Sequence, residues 1–238
     1  MSGQRGGTLE IIKPLSRDSI VNRIADSLSR AIAAGDLTPG ERIVEIPMAE
    51  RFGVSRGSLR EALKILVTEG VLELRPDRGV YVAKPDAAEI GEMIVTRAVI
   101  EGVAARLFAA SATPAQHEEL AALCRRMEVA AETTESTGEF RKLDWDFHEY
   151  IVQASGNRYL IKSWTSIRSL LRLYMMRINP LYETAKSYTL DSHRRFLAVL
   201  SNGSALEAER AFRRVILETG FKTIGLDRPA GLVDGEKS

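Results

Sequence analysis

The chain has 238 residues and sets 33 Lys and Arg against 32 Asp and Glu, a formal net charge of +1. Hydrophobic residues at 45% and charged residues at 27% are the make-up of a globular protein with a sizeable core and exclude wholesale disorder. The longest stretches free of charge, 107–117 and 196–206, run 11 residues, too short for a membrane helix, and the single Cys124 excludes an internal disulfide or a cysteine-rich zinc site.

Residues 1–15 carry three glycines and no helical period, which predicts a flexible arm, and residues 1–9 lack the apolar core of a signal peptide. A cytoplasmic protein is expected. From Asp18, the apolar residues Ile20, Ile24, Leu28 and Ile32 recur every four positions before Gly35, the pattern of an amphipathic helix. Pro39-Gly40 marks a turn, Met48 to Phe52 a short helix ended by Gly53, and Ser55 caps a longer helix running to about Glu69. Val71–Arg75 and Val80–Ala83 are β-rich runs around Pro76-Asp77-Arg78-Gly79, which predicts a hairpin. Three helices and a hairpin in about 70 residues outline a winged helix-turn-helix over residues 16–84.

Beyond Pro85 the pattern is helical throughout. Asp86 with Glu89, Thr113-Pro114 with Gln116, and Ser204 with Glu207 each read as a capping box. Helices are expected near 86–111, 114–135, 139–155, 157–178, 182–201 and 204–223, with a mobile tail over 226–238. The fold class is therefore mainly α: an N-terminal winged helix followed, over 85–225, by an all-α antiparallel helical bundle.

A net charge near zero argues against a nucleic-acid partner until it is divided by helix face. Residues 51–64 hold Arg51, Arg56, Arg60 and Lys64 against Glu61 alone. In the helix after Ser55, Leu59, Leu63 and Leu66 form the inward stripe, while Arg56, Arg60 and Lys64 at i, i+4 and i+8 form a separate basic one. Such a helix suits a phosphate-lined major groove, and Arg75 and Arg78 of the hairpin are placed to reach an adjacent groove or the backbone. The competing reading is a solvated helix face with incidental arginines.

The stretches 48–56, 59–63, 69–72 and 78–82 (MAERFGVSR, LREAL, EGVL and RGVYV) resemble the N-terminal domain of GntR-family bacterial transcription factors. The resemblance implies base or phosphate contacts from Arg56 and Arg60. It also implies backbone contacts from Ser55, Ser58 and Lys64, and a wing tip at Arg78-Gly79; Arg42 and Arg75 complete the DNA-facing set. Gly57-Ser58 stands where that family usually has Thr-Pro. The later part of the chain resembles the FadR-like branch with an FCD-type ligand-binding domain, on Arg97-x-x-x-Glu101, Asp144-x-x-Phe147-His148, Gly156-Asn157 and His193.

Asp144 and His148 lie at i, i+4 on one helix face, and His193 shares a face with Leu197 and Leu200. An Asp and two His from different helices suit Zn²⁺ or another divalent metal; the alternative is a pair of core histidines satisfied by hydrogen bonds. The resemblance favours the metal, since FCD domains use one Asp and three His. Val215 stands where the third His is expected, so at most three protein ligands remain. Arg97 and Glu101 are candidates for binding an effector carboxylate, against the alternative of an internal ion pair, and Asn157 joins them as an effector candidate. Arg168 and Arg172 read as surface or dimer-face residues, the Leu170-to-Met176 cluster as core, and His117 as surface.

The function these features imply is a homodimeric transcriptional regulator, a repressor by the commoner family behaviour. It would bind double-stranded operator DNA and respond to a small organic acid in its bundle, through a divalent metal. The alternative is a metal-dependent hydrolase using Asp144, His148 and His193, which leaves the basic stripe over 51–64 unexplained and has no accompanying general-base motif.

Overall fold

The computed structural model describes residues 17–76, 79–132, 137–177 and 179–227; the expected arm over 1–15 and the tail beyond 227 lie outside them. Two hydrophobic clusters organise the chain. The first part is built from α1 (Arg17–Ala34), β1 (Arg42–Ile43), α2 (Glu45–Phe52), α3 (Arg56–Thr68), β2 (Leu72–Leu74) and β3 (Val80–Val82). Ile24, Leu28 and Ile32 of α1 pack with Leu59, Leu63 and Leu66 of α3, all at most 3% exposed, so the stripes read from the sequence are the faces that meet.

Two details of this part differ from expectation. The hairpin is a three-stranded antiparallel sheet in the order β1-β3-β2, with Arg42 opposite Tyr81 and Leu72 opposite Val82. Strand β1 is only two residues long, so no alternation announces it. Helix α2 starts at Glu45, three residues earlier than Met48, because Pro47 falls in its first turn, where a missing N–H costs nothing.

The second part is a bundle of six helices: α4 (Ala87–Ser111), α5 (Pro114–Glu132), α6 (Thr137–Ala154), α7 (Arg158–Arg177), α8 (Asn179–Asn202) and α9 (Ala205–Ile224). The capping boxes at Asp86 and Ser204 form in both directions, and Thr113 exchanges the corresponding bonds with Gln116. Helices α4 and α9 pack along their length so closely that a Cβ on Gly220 would sit 2.6 Å from the Ile94 side chain. The core is aromatic, with Phe108, Phe140, Phe147, Phe196, Phe212 and Trp164 all fully buried. No described helix is long and apolar enough to cross a membrane.

Candidate functional sites

On α3, Ser55 caps the helix by accepting from the Ser58 amide at 3.1 Å, and its hydroxyl lies 2.9 Å from that of Ser58. This cap aims the positive end of α3 outward. Arg56, Arg60 and Lys64 leave 56, 54 and 71% of their side chains exposed. They are not unopposed, as the count over 51–64 suggested. Glu45 at the start of α2 accepts from Arg60 Nε at 2.7 Å and stands 3.8 Å from Arg56, while Lys64 pairs with Glu61. Glu45 lies 15 residues before Arg60, so only the fold brings it there.

On the sheet, the Arg75 guanidinium lies 4.2 Å from the Tyr81 ring centre and pairs with Glu73, while Arg42 approaches the same ring at 6.0 Å. Gly79 packs against that ring so tightly that a Cβ there would be 2.5 Å from it. Arg78, the other residue of the expected wing tip, lies outside the described residues.

In the bundle, α6 supplies Asp144 and His148, α8 supplies His193, and all three are buried. One ligand-type atom from each lies within 4.8 Å of the others. The Asp144 Oδ1 atom is 3.2 Å from His193 Nε2 and 3.7 Å from His148 Nε2. Donors around a tetrahedral zinc stand about 3.3–3.4 Å apart, so small side-chain rotations would complete such a shell.

The protonation pattern of these groups follows from their outer partners. His193 Nδ1 lies 2.7 Å from the Thr189 carbonyl, which can only accept, so the proton sits on Nδ1. Its Nε2 is buried with no hydrogen-bond partner, the Asp144 contact being misaligned. His148 Nδ1 faces Glu101 Oε2 at 2.5 Å. Burial alone would raise the Glu101 carboxyl, but the Arg97 guanidinium, then His148, outweigh it and hold the group below its ordinary value. Burial is also the largest influence on His148, and it lowers that imidazole below its ordinary value despite Glu101. A neutral His148 that donates from Nδ1 to an ionised Glu101 turns a bare Nε2 towards Asp144. Two imidazole Nε2 atoms and a carboxylate thus converge in a buried cluster beside Phe147, 4.5 Å from the His193 ring, and Phe196. Two imidazole nitrogens and a carboxylate, with Nδ1 of each ring turned to an outer acceptor, are a donor set that fits a divalent metal.

The other candidates fall into place around this cluster. Arg97 and Glu101 do form the internal ion pair, at 2.6 Å, with Arg97 only 14% exposed. Glu101 is therefore bound to His148 and Arg97, a link across 47 residues that i, i+4 spacing could not reveal. Asn157 is exposed, and its Oδ1 accepts from the Tyr159 and Leu160 amides, so it caps α7. Val215 is partly buried against the bundle core and adds no ligand atom. Arg168 pairs with Glu149, and His117 packs edge-on against Phe108 instead of lying free on the surface. The side chains of Arg172 to Met176 lie outside the described residues.

The fold and the two sites define a winged helix joined to a helical bundle with a buried Asp-His-His cluster. The model for bacterial regulatory proteins of the gntR family matches residues 20–82, and that for the FCD domain matches residues 92–218. The chain belongs to the gntR family, in the branch that carries an FCD domain. Among its relatives is the Nta operon transcriptional regulator of Aminobacter aminovorans, 38% identical over 135 residues. That match covers 56% of this chain and 63% of the relative, less than two thirds of its length. The gluconate operon transcriptional repressor of Bacillus licheniformis is 28% identical over 193 residues, covering 79% of this chain and 78% of its own. A solved structure of a GntR transcriptional regulator from Rhodococcus sp. RHA1 superposes with a TM-score of 0.74 at 23% identity. It covers 88% of this chain and all of that one.

Proposed function

We propose that this protein is a transcriptional repressor that binds operator DNA as a homodimer and responds to a small organic acid held in its bundle. Residues 16–84 act as the DNA-binding domain and 85–225 as the effector-binding and dimerisation domain, in the cytoplasm. The observation that carries the first half is the exposed Arg56–Arg60–Lys64 stripe on a capped helix backed by a basic sheet edge. The names of its relatives, regulators of operons, support the same reading. Arg56 and Arg60 are the base- or phosphate-contacting residues. Ser55, Ser58 and Lys64 hold the backbone, and Arg42, Arg75, Arg78 and Gly79 make the wing's contribution.

Asp144, His148 and His193 would hold a divalent metal, zinc first by the donor set. The metal would present open coordination positions to an effector carboxylate as a Lewis acid. Glu101 fixes the His148 tautomer and Arg97 neutralises Glu101, so both serve the pocket from behind. Glu101, the carboxylate beside the three ligands, is committed to His148 and Arg97 and is not placed to activate water, which counts against the hydrolase reading.

Selection of bound duplexes from a random-sequence pool tests the first half. Enrichment of a pseudo-palindrome, lost in Arg56→Ala and Arg60→Ala, is expected, and binding without sequence preference at moderate salt would sink it. Thermal unfolding with Zn²⁺ or with chelator tests the second half. Zinc at about a hundred times its dissociation constant adds about 2.7 kcal/mol to wild type and nothing to Asp144→Ala.

A further inference from the structure

The ligand-bearing helix α6 uses alternate faces for two purposes. Asp144 and His148 turn to the pocket, and their immediate successors Trp145 and Glu149 turn to α7. The Trp145 ring stacks on Trp164 of α7 at 5.2 Å and 22°, and its indole N–H lies 3.3 Å from Glu149. Glu149 in turn accepts from Arg168 of α7 at 2.8 Å. The next two residues of α7 reach from the bundle to the winged helix. The Ser169 hydroxyl donates to Glu69 at 3.1 Å, and a Leu170 methyl lies 3.5 Å from the Cβ position of Gly70, at the end of α3. Leu170 packs against both hydrophobic clusters of the chain. Helix α1 also rests on α7.

We propose that α7 couples the occupancy of the Asp144–His148–His193 pocket to the seating of the winged helix, through Trp145 and Glu149 on one side and Ser169 and Leu170 on the other. The proposal rests on the metal reading of that pocket. A cation held by both Asp144 and His148 pins the rotation of α6. Trp145 and Glu149 sit one residue along the same helix, so they cannot keep their place if α6 turns. The stack and the ion pair pass that constraint to α7 one turn before the residues that grip the head. Besides the seat of α1 on α7, the grip among the described residues is one apolar peg and one hydrogen bond, flanked by a cleft of about 440 Å³ whose lining includes Leu72, Lys84, Met93 and Ile167. A ligand that favours the seated arrangement of this contact over a lifted one needs only modest differential affinity to choose between them.

Linkage makes the coupling reciprocal, so it is measurable without DNA or effector. The experiment uses the full chain with Zn²⁺ alone as the probe. It reads zinc affinity by competition with a chromophoric chelator, and amide exchange over residues 65–75 with and without zinc. In wild type, zinc slows exchange over 65–75. In Ser169→Ala/Leu170→Ala that slowing disappears and zinc binds about fivefold more weakly, at the lower end of typical allosteric coupling. Glu149→Gln and Ser169→Ala each give part of both effects, and they carry the test if the double variant does not fold. Zinc that binds wild type but leaves 65–75 unchanged overturns the coupling and spares the metal site. Slowing that persists in the double variant overturns the route through α7. A wild type that binds no zinc overturns the metal reading and the coupling together.

Discussion

On α3 the cations Arg56, Arg60 and Lys64 keep more than half of their side-chain surface in water, whereas in the bundle Glu101, Asp144, His148 and His193 keep almost none. Both regions contain close ion pairs, and their lengths are similar: 2.7 Å for Arg60–Glu45 and 2.6 Å for Arg97–Glu101. Surroundings separate them. An exposed pair exchanges its partner for water, or for a phosphate, at a cost of about 0.2–1 kcal/mol. A buried charge has no such substitute and must keep its partner or lose its charge. The α3 pairs are thus arranged to be given up on binding, and the bundle pairs to hold a fixed pattern of protons around a pocket.

Removing Glu101 tests that contrast most severely. Glu101→Ala strands the Arg97 guanidinium and leaves His148 Nδ1 without its acceptor, a loss of about 3–5 kcal/mol in urea unfolding. Glu101→Gln keeps an acceptor for His148 but not the charge facing Arg97, and falls between wild type and Ala. A loss of under 1 kcal/mol for Glu101→Ala would mean that the pair behaves like a surface one.

Acid separates the regions next, in protein freed of metal by chelator. The unfolded chain protonates its histidines near the ordinary value of 6.5, while burial holds folded His148 below it. Between those values the unfolded state binds the extra proton, so stability falls as pH falls, by up to about 1.4 kcal/mol per pH unit. Glu101 acts in the same direction at lower pH. Its folded value lies below 4.5, so its stabilisation is complete above 4.5 and is lost as pH drops through the folded value. Unfolding midpoints should decline first as pH falls below about 6.5 and again only below about 4.5, and His148→Gln should remove the upper decline. A midpoint that is flat from pH 7 to 5 would contradict the neutral buried imidazole.

What the sequence carried and what it withheld divides along local and distant contacts. Period and caps are local, so the stripes of α1 and α3 and the capping boxes at Asp86, Thr113 and Ser204 were legible before any fold was known. The i, i+4 rule likewise put Asp144 beside His148 and Arg97 beside Glu101. Three features were not legible because their partners are far along the chain: Glu45 against Arg60, Glu101 against His148, and Ser169 and Leu170 against the end of α3. For the last there was a usable sign. Leu170 and Leu171 are adjacent on a helix, about 100° apart, so both cannot point into one narrow core. Leu171 is 1% exposed within the bundle, and Leu170 is the one that reaches the head. Asn157 is the local case: its cap of α7 reaches only two and three residues ahead, to the Tyr159 and Leu160 amides.

Glu45 supplies the mildest test and the one that best isolates the α3 surface. Glu45→Gln removes a charge from an exposed pair, so folding stability should change by less than about 1 kcal/mol. DNA binding should change in a more informative way. In wild type, Arg60 must exchange the Glu45 carboxylate for phosphate or base, and that exchange discounts every duplex equally. Without the carboxylate, Arg60 and Arg56 are free to meet any phosphate. Affinity for a random duplex should rise a few-fold, and the log–log salt slope should steepen by about one contact, about 0.9 per phosphate neutralised. The preference for a selected site over a random one should shrink, because the side chain that was held at 2.7 Å now swings. Equal losses of affinity for selected and random duplexes would instead mean that Glu45 supports the fold of α2 against α3, and that the α3 cations are fixed by packing as the bundle charges are.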